Sequence, residues 1–87
     1  MRILTYDINK ELSPKNYDGF CKIIKSYNYI KLSKCSYALD TNEEPLTIFS
    51  KLKPYIHSDD SLLILTLIKP FYGQASQDLI DWISKKN

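Results

Sequence analysis

The sequence predicts an α+β fold in which a small antiparallel sheet is backed by helices. Strand-like apolar runs and amphipathic helical patterns alternate along the chain, and the late run at residues 62–68 is apolar on both of its alternating sides. A strand with one face in water would alternate between apolar and polar residues, so this run predicts a strand covered on both faces. Because a chain of 87 residues buries only a modest share of its surface, we expect a partner chain to complete the cover.

The first run, at residues 2–9, predicts a central strand that ends at Asp7, because β-branched and aromatic residues are followed there by a polar cluster. A carboxylate at the end of a buried strand needs hydrogen-bond donors, a cation or a metal as its partner. This makes Asp7 the first candidate functional residue. The alternative is an Asx turn, in which Asp7 only caps the loop that follows.

A first helix and a strand pair are predicted next. Ser13 followed by Pro14 is a typical helix start, and apolar residues at helical spacing predict an amphipathic helix over residues 14–27. Residues 29–39 then interleave polar and apolar side chains without a helical period. They predict two short antiparallel strands with a break near residues 33–34, and one bent strand is the alternative.

A second amphipathic helix is predicted to begin at an N-cap on Asn42, or on Thr41 with Glu44 completing a capping box. Pro54 is expected to end or kink it, since proline lacks the backbone N–H that continues a helix. The strand at residues 61–69 follows, and after a turn-rich connector the chain closes with a last helix.

Composition excludes several classes of protein. The net charge of +2 creates no strong field, so nucleic-acid binding would need a local basic patch. Cys21, Cys35 and the single histidine His57 lack the spacings of zinc ribbons and of thioredoxin chemistry. With no targeting segment and no apolar stretch long enough for a bilayer, we expect a cytoplasmic protein without a membrane partner, whose two thiols stay reduced.

The predicted order β-α-β-β-α-β is that of the ferredoxin-like split βαβ motif, here with an added C-terminal helix. Five short segments then suggest a family. In chain order they are Ile-Leu-Thr-Tyr-Asp-Ile at residues 3–8, Lys-Ser-Tyr at 25–27, Cys-Ser-Tyr at 35–37, Asp-Ser-Leu-Leu-Ile at 60–64, and the ending from Tyr72-Gly73 to Asp81-Trp82-Ile83. Together they resemble the small CRISPR-associated endoribonuclease and spacer-acquisition family, and most closely its stand-alone relatives akin to virulence-associated protein D.

The resemblance implies a homodimer with its two sheets face to face. Asp7 of each chain would lie near the two-fold axis and hold Mg²⁺ or Mn²⁺ for cleavage of DNA or RNA, in a defence, toxin or mobile-element setting. The family's small hydroxyl and aromatic positions in the middle strands match Ser36 and Tyr37 here, although Cys35 is an alternative match for the hydroxyl. The first and last strands are expected to supply the dimer interface through Ile3, Thr5, Leu62 and Ile64. Spacer integration is in doubt, because Arg2 is the single arginine and a helix replaces the family's C-terminal docking strand.

The alternative function is a non-catalytic dimeric module that binds nucleic acid or another protein. Lys10, Lys31 and Lys34 would contact phosphates, and Tyr29 and Tyr37 would stack on bases. The competing interpretation of these tyrosines is that they pack in the dimer interface.

The supply of carboxylates separates the two functions. A single Asp7 per chain is a weak metal site, since a nuclease usually needs more than one acidic ligand. Asp59 and Asp60 are the only other clustered carboxylates, and we expect their loop on the far side of the sheet from Asp7.

Overall fold

The computed structural model describes residues 1–9 and 12–86 as a four-stranded antiparallel sheet with three α-helices. In chain order the elements are β1 (Arg2–Asp7), α1 (Pro14–Lys25), β2 (Tyr29–Ser33), β3 (Ser36–Leu39), α2 (Pro45–Leu52), a 3₁₀ turn (Lys53–Tyr55), β4 (Ser61–Thr66) and α3 (Gln77–Lys86). The strand order across the sheet is β2-β3-β1-β4. This confirms the predicted α+β class, and the arrangement is compatible with a ferredoxin-like fold with an added C-terminal helix.

The first helix begins as its sequence predicts. The Ser13 hydroxyl accepts the Asn16 backbone N–H at 3.2 Å, and Pro14 occupies the first helical position, where its missing N–H costs no hydrogen bond. The helix ends at Lys25, two residues before the predicted end. The strand pair after it is two strands rather than one bent strand.

The second helix begins later than expected. Neither Asn42 nor Thr41 is its N-cap, because the helix starts at Pro45 with Glu44 in the capping position. Proline favours the first helical position since its backbone angle is already that of a helix. The Thr41 hydroxyl instead accepts the Glu43 backbone N–H at 3.1 Å in the turn before the helix. The predicted effect of Pro54 is confirmed, since α2 ends at Leu52 and Pro54 lies in the 3₁₀ turn.

The core lies between one face of the sheet and the helices α1 and α2. Its fully buried large side chains come from both helices and from the two central strands β1 and β3. They are Phe20, Leu4, Ile24, Leu39, Ile48 and Leu52. We call this side of the sheet the covered face.

A cluster of polar side chains around Glu43 stabilises the edge of the covered face. Glu43 accepts a hydrogen bond from the Tyr27 hydroxyl and forms an ion pair with Lys51, whose ammonium lies 2.9 Å from both carboxylate oxygens. The Arg2 guanidinium donates to the Glu43 carbonyl at 2.9 Å and to the Thr66 hydroxyl at 2.9 Å. These contacts join the turn after α1 and the helix α2 to the strands β1 and β4.

Within the described part of the chain, no helix is long and apolar enough to cross a membrane. Cys21 lies in α1, Cys35 lies in the turn between β2 and β3, and both thiols are free.

Candidate functional site

The second face of the sheet is open along its two neighbouring strands β1 and β4. The register places Ile3 opposite Leu65 and Thr5 opposite Leu63, so these four side chains share the face directed away from the core. Leu63 is 57% exposed and Leu65 is 49% exposed. We call these four residues the open face.

The last helix covers only the other half of this side. α3 packs against β2, and its Ile83 is buried. Ala38 of β3, which lies opposite Ile3 and therefore on the same side of the sheet, is fully buried. The strand predicted to be covered on both faces is thus covered by helices on one side, while its second apolar side is exposed in the single chain.

Two of the expected interface residues need correction. Leu62 and Ile64 have the opposite parity to Leu63 and Leu65, and they face α1 and α2: Leu62 belongs to the core and Ile64 packs against it. A side chain in the core is not available to a partner. Ile3 and Thr5 do lie on the open face, and their neighbours there are Leu63 and Leu65 rather than Leu62 and Ile64.

Asp7 lies at one end of the open face. It closes β1 opposite Ser61, its side chain has the same parity as Thr5, and it is exposed. Among the described residues its carboxylate has no hydrogen-bond or ion-pair partner, so no Asx turn of Asp7 is found there. The charge of Asp7 therefore faces solvent beside an apolar surface.

The loop before β4 lies beside the turn after β1, not on the far side of the sheet as expected for Asp59 and Asp60. The Asp60 carboxylate accepts the Asn9 backbone N–H at 2.9 Å and the His57 backbone N–H at 2.8 Å, and Asn9 donates its side-chain amide to the Asp59 carbonyl. Because β4 runs antiparallel beside β1, it starts where β1 ends. The two aspartates thus lie at the same end of the sheet as Asp7.

The sequence analysis expects a metal ion held by the Asp7 carboxylates of two chains. In the ranges that the structure describes, no three His, Cys, Asp or Glu side chains form a group that could hold a metal ion. Mg²⁺ is commonly held by one or two carboxylates and several waters. The exposed carboxylate of Asp7 therefore fits one half of such a site, provided that a second copy supplies the other half.

The expected stacking tyrosine Tyr37 is not available to a nucleic acid. It lies on the covered face, is only 9% exposed, and belongs to the core. Burial raises the pKa of Tyr37 and, more strongly, that of Tyr6, whose ring packs edge-on against Phe20 with the ring centroids 5.0 Å apart. Tyr29 packs edge-on against Tyr37 at 6.0 Å and is partly exposed. The register places these three tyrosines on the covered side of the sheet, so none of them covers the open face.

The remaining predicted residues do not form one group. Ser36 is half-buried on the same side as Thr5, and the two hydroxyls lie 3.0 Å apart in a hydrogen bond. Lys34 is exposed in the turn beside the end of β1, where the Tyr6 N–H donates to the Cys35 carbonyl at 3.0 Å. Lys31 is exposed on the edge strand β2, and Lys10 lies outside the described residues.

The structure thus brings Asp7, Lys34 and the Thr5–Ser36 pair to one half of the molecule. Sequence reasoning missed the positions of Leu63 and Leu65 and the hydrogen bonds by which the Asp60 carboxylate holds the turn after β1. The position of Asp60 near the end of β1 could have been predicted from the topology, since an antiparallel β4 beside β1 must begin next to the end of β1.

The chain matches no protein-family model, no curated protein and no solved structure.

Proposed function

We propose that two copies of this chain pack their open faces together, and that the dimer cleaves nucleic acid with a divalent metal held by the two Asp7 carboxylates. The observation that carries the proposal is the position of Asp7. It is an exposed and unpartnered carboxylate, in the described part of the chain, at the end of an uncovered apolar surface. The resemblance of the sequence to the small CRISPR-associated endoribonuclease family supports phosphodiester cleavage as the activity.

A dimer accounts for the apolar surface that the single chain leaves in water. Leu63 and Leu65 are about half exposed next to Ile3, and burying the exposed half of each side chain contributes roughly 1 kcal/mol. The Thr5 and Ser36 hydroxyls on this face form a hydrogen bond with each other, which lowers the cost of covering them with a partner.

A divalent ion on Asp7 and the nearby Lys34 would together give the end of the open face the positive charge that a nucleic-acid substrate needs. In the dimer, each Asp7 would supply one carboxylate to Mg²⁺ or Mn²⁺, and the ion when bound would neutralise charge on the phosphate and activate a water. Lys34, at the same end of the sheet, would contact a neighbouring phosphate and position the strand.

The test compares the parent with Asp7→Asn and with the matched control Asp59→Asn, an exposed carboxylate at the same end of the sheet. Labelled DNA and RNA, single- and double-stranded, are incubated with Mg²⁺ or Mn²⁺. We expect cleavage by the parent and by Asp59→Asn, and none by Asp7→Asn. The stability of Asp7→Asn should match that of the parent within about 0.5 kcal/mol or exceed it, because two carboxylates near an axis repel each other. A parent protein that neither cleaves nor is stabilised by either ion would contradict the nuclease.

One observation favours a second candidate, a non-catalytic dimer that binds nucleic acid. The residues that the structure describes contain no three-ligand metal group, whereas Lys34 and Lys31 are exposed. In this case Asp7→Asn should leave binding intact, and Lys34→Ser should weaken it and reduce its dependence on salt concentration. Gel-shift titrations of the two variants at two salt concentrations distinguish these outcomes.

A further inference from the structure

The two edges of the sheet are protected to different degrees. The edge strand β2 carries the exposed Lys31 and has a register irregularity between Lys31 and Ser33. Lysines and bulges are devices by which sheets prevent edge pairing. The opposite edge strand β4, Ser61–Thr66, has the sequence Ser-Leu-Leu-Ile-Leu-Thr and pairs with β1 over six residues without irregularity. It carries neither device, so its edge is open to another strand.

The outward backbone groups of β4 follow from its pairing with β1. The Leu67 N–H donates to the Met1 carbonyl at 3.0 Å, so the backbone groups of Leu67 face β1. Backbone groups along a strand point alternately to its two sides, so those of Leu63 and Leu65 also face β1 and those at positions 62, 64 and 66 face outward. Within residues 1–9 and 12–86, β1 is the only strand paired with β4. Three residues of β4 therefore present their N–H and C=O groups to a further strand.

The strand β4 is complementary to itself about Ile64. A two-fold axis perpendicular to the sheet keeps each face on its own side, so paired residues must have the same parity. With the axis at Ile64, Leu62 lies opposite Thr66 of the second copy, and each of the three outward-facing pairs can exchange two backbone hydrogen bonds. Leu63 lies opposite Leu65 of the second copy on the other side. Since β4 contains no charged residue, no like charges meet between the two strands.

The helix α2 lies on the covered side of β4 and leaves apolar side chains at its edge. Leu46 is 74% exposed, and a groove lined by Leu46, Phe49 and Ile64 runs between α2 and β4. Because Ile64 lies on the axis, the groove of each chain faces the groove of the other. A second copy thus covers Leu46 with its own α2, and the helices continue across the axis as the strands do.

The start of β4 is acidic. Asp59 and Asp60 precede the strand, and Asp7 lies opposite its first residue, Ser61. Lys53 is exposed at the same end and offsets one of these three charges. The start of β4 therefore carries a net negative charge.

The end of β4 is basic. The Arg2 guanidinium donates to the hydroxyl of the last strand residue at 2.9 Å, and Lys69 follows soon after the strand. Glu43 at this end is paired with Lys51, which leaves the exposed Glu44 to oppose the two cations. Antiparallel pairing places this end beside the acidic start of the second copy's β4. Opposite charges thus meet at both ends of the paired strands, and this complementarity favours a second copy as the occupant.

We propose that the outer edge of β4 pairs with the same edge of a second copy, antiparallel about Ile64, and joins the two four-stranded sheets into one continuous sheet. This contact is separate from the packing of open faces, because it uses the outward backbone of β4 and the helix α2. One strand pair with a helix contact is small for a protein interface, so we expect a dissociation constant of about 0.1 mM. The open-face dimers present at micromolar concentration therefore join in pairs at higher concentration.

Hydrogen exchange measured by NMR at about 20 µM and about 1 mM tests the pairing. At the higher concentration, exchange of the outward amides of Leu62, Ile64 and Thr66 should be about threefold to fivefold slower, because most chains are then paired. The amides of Leu63 and Leu65 should not respond, since they already face β1. Equal exchange of the outward amides at the two concentrations would overturn the proposal. So would an equal slowing of all five amides, which packing of the open faces could cause.

The variant Leu46→Lys tests the contact between the two α2 helices, because it brings like charges together across the axis. It should lose the slowing at 1 mM. Tyr72→Lys is the matched control and should keep the slowing, since Tyr72 is fully exposed in the connector before α3. Both variants should keep the open-face dimer in sedimentation at micromolar concentration, so a failure of that dimer and a failure of the edge contact appear in different measurements. A slowing that persists in Leu46→Lys, or is lost in Tyr72→Lys as well, contradicts the proposed contact.

The variant Asp59→Asn tests the charged ends, with Asp18→Asn on α1 as its matched control. A concentration series of exchange rates gives the dissociation constant of the edge contact. The constant should rise about twofold to fivefold in Asp59→Asn, as exposed charge pairs permit, and stay unchanged in Asp18→Asn. Equal constants for the two variants would overturn the antiparallel direction of the pairing.

Discussion

The two faces of the sheet are made of similar residues but have different surroundings. On the covered face, Leu4 and Leu39 are fully buried beneath α1 and α2, whereas on the other face Leu63 and Leu65 stay about half exposed. The strand β4 contributes to both faces. The described chain thus buries one apolar side of β4 and leaves the other side about half exposed.

The largest expected effect comes from truncating a side chain on each face. Leu4→Ala should lower the free energy of unfolding by about 2–5 kcal/mol, because it leaves a cavity in a closed core. Leu65→Ala, in protein dilute enough to be monomeric, should lower it by only about 1 kcal/mol, because about half of this side chain is already in solvent. Urea unfolding of both variants measures the difference, and similar losses for the two would show that the open face is buried within one chain.

A smaller effect is expected from a substitution that disturbs the close packing of α1 against the 3₁₀ turn. A Cβ atom built on Gly19 of α1 would lie 2.3 Å from the ring of Tyr55, so alanine forces that ring to move. We expect Gly19→Ala to destabilise the protein by about 1–2 kcal/mol, although alanine is the better helix former. Gly73→Ala is the matched control, because nothing lies within 4 Å of its added Cβ. A Gly19→Ala variant more stable than the parent in thermal unfolding would show that the layer packs loosely.

The smallest expected effect depends on pH and concerns the rim of the covered face. The Tyr27 hydroxyl and the Lys51 ammonium hold the pKa of Glu43 below its usual range. A carboxyl whose pKa is depressed on folding stabilises the protein above its unfolded pKa, and this contribution is lost as the pH falls through its folded pKa. Glu43→Gln should therefore be slightly less stable than the parent at pH 7, and the difference should shrink in acid. Equal differences at pH 7 and pH 3 in urea unfolding would assign the effect to shape rather than charge.

Much of the fold could be predicted because local signals agree with it. Ser13 with Pro14 marks a helix start, Pro54 marks a helix end, and the change of hydrophobic period separates strands from helices. The predicted start of α2 was wrong by a few residues, since Thr41 and Asn42 are both typical N-cap residues, whereas the helix begins at Pro45 without a side-chain cap.

The candidate site was harder to predict because it depends on register. Parity within β4 shows that Leu62 and Leu63 point to opposite faces, but which of them faces the helices follows only from the pairing with Thr5 and Tyr6. Burial of Tyr37 depends on the same pairing, since it lies opposite Leu4. The proximity of Asp60 to the end of β1 needed only the topology, and it could have been inferred from the antiparallel order.

Sedimentation equilibrium of the parent, Leu65→Lys and the control Leu46→Lys tests the central claim most directly, that the open face binds a second copy. Both leucines are exposed in the single chain, but Leu65 lies on the open face and Leu46 lies on α2. The account predicts a dimer for the parent and for Leu46→Lys at micromolar concentration, and a folded monomer for Leu65→Lys, because a buried unpaired charge is costly. A monomeric parent, or a dimer that survives Leu65→Lys, would contradict it.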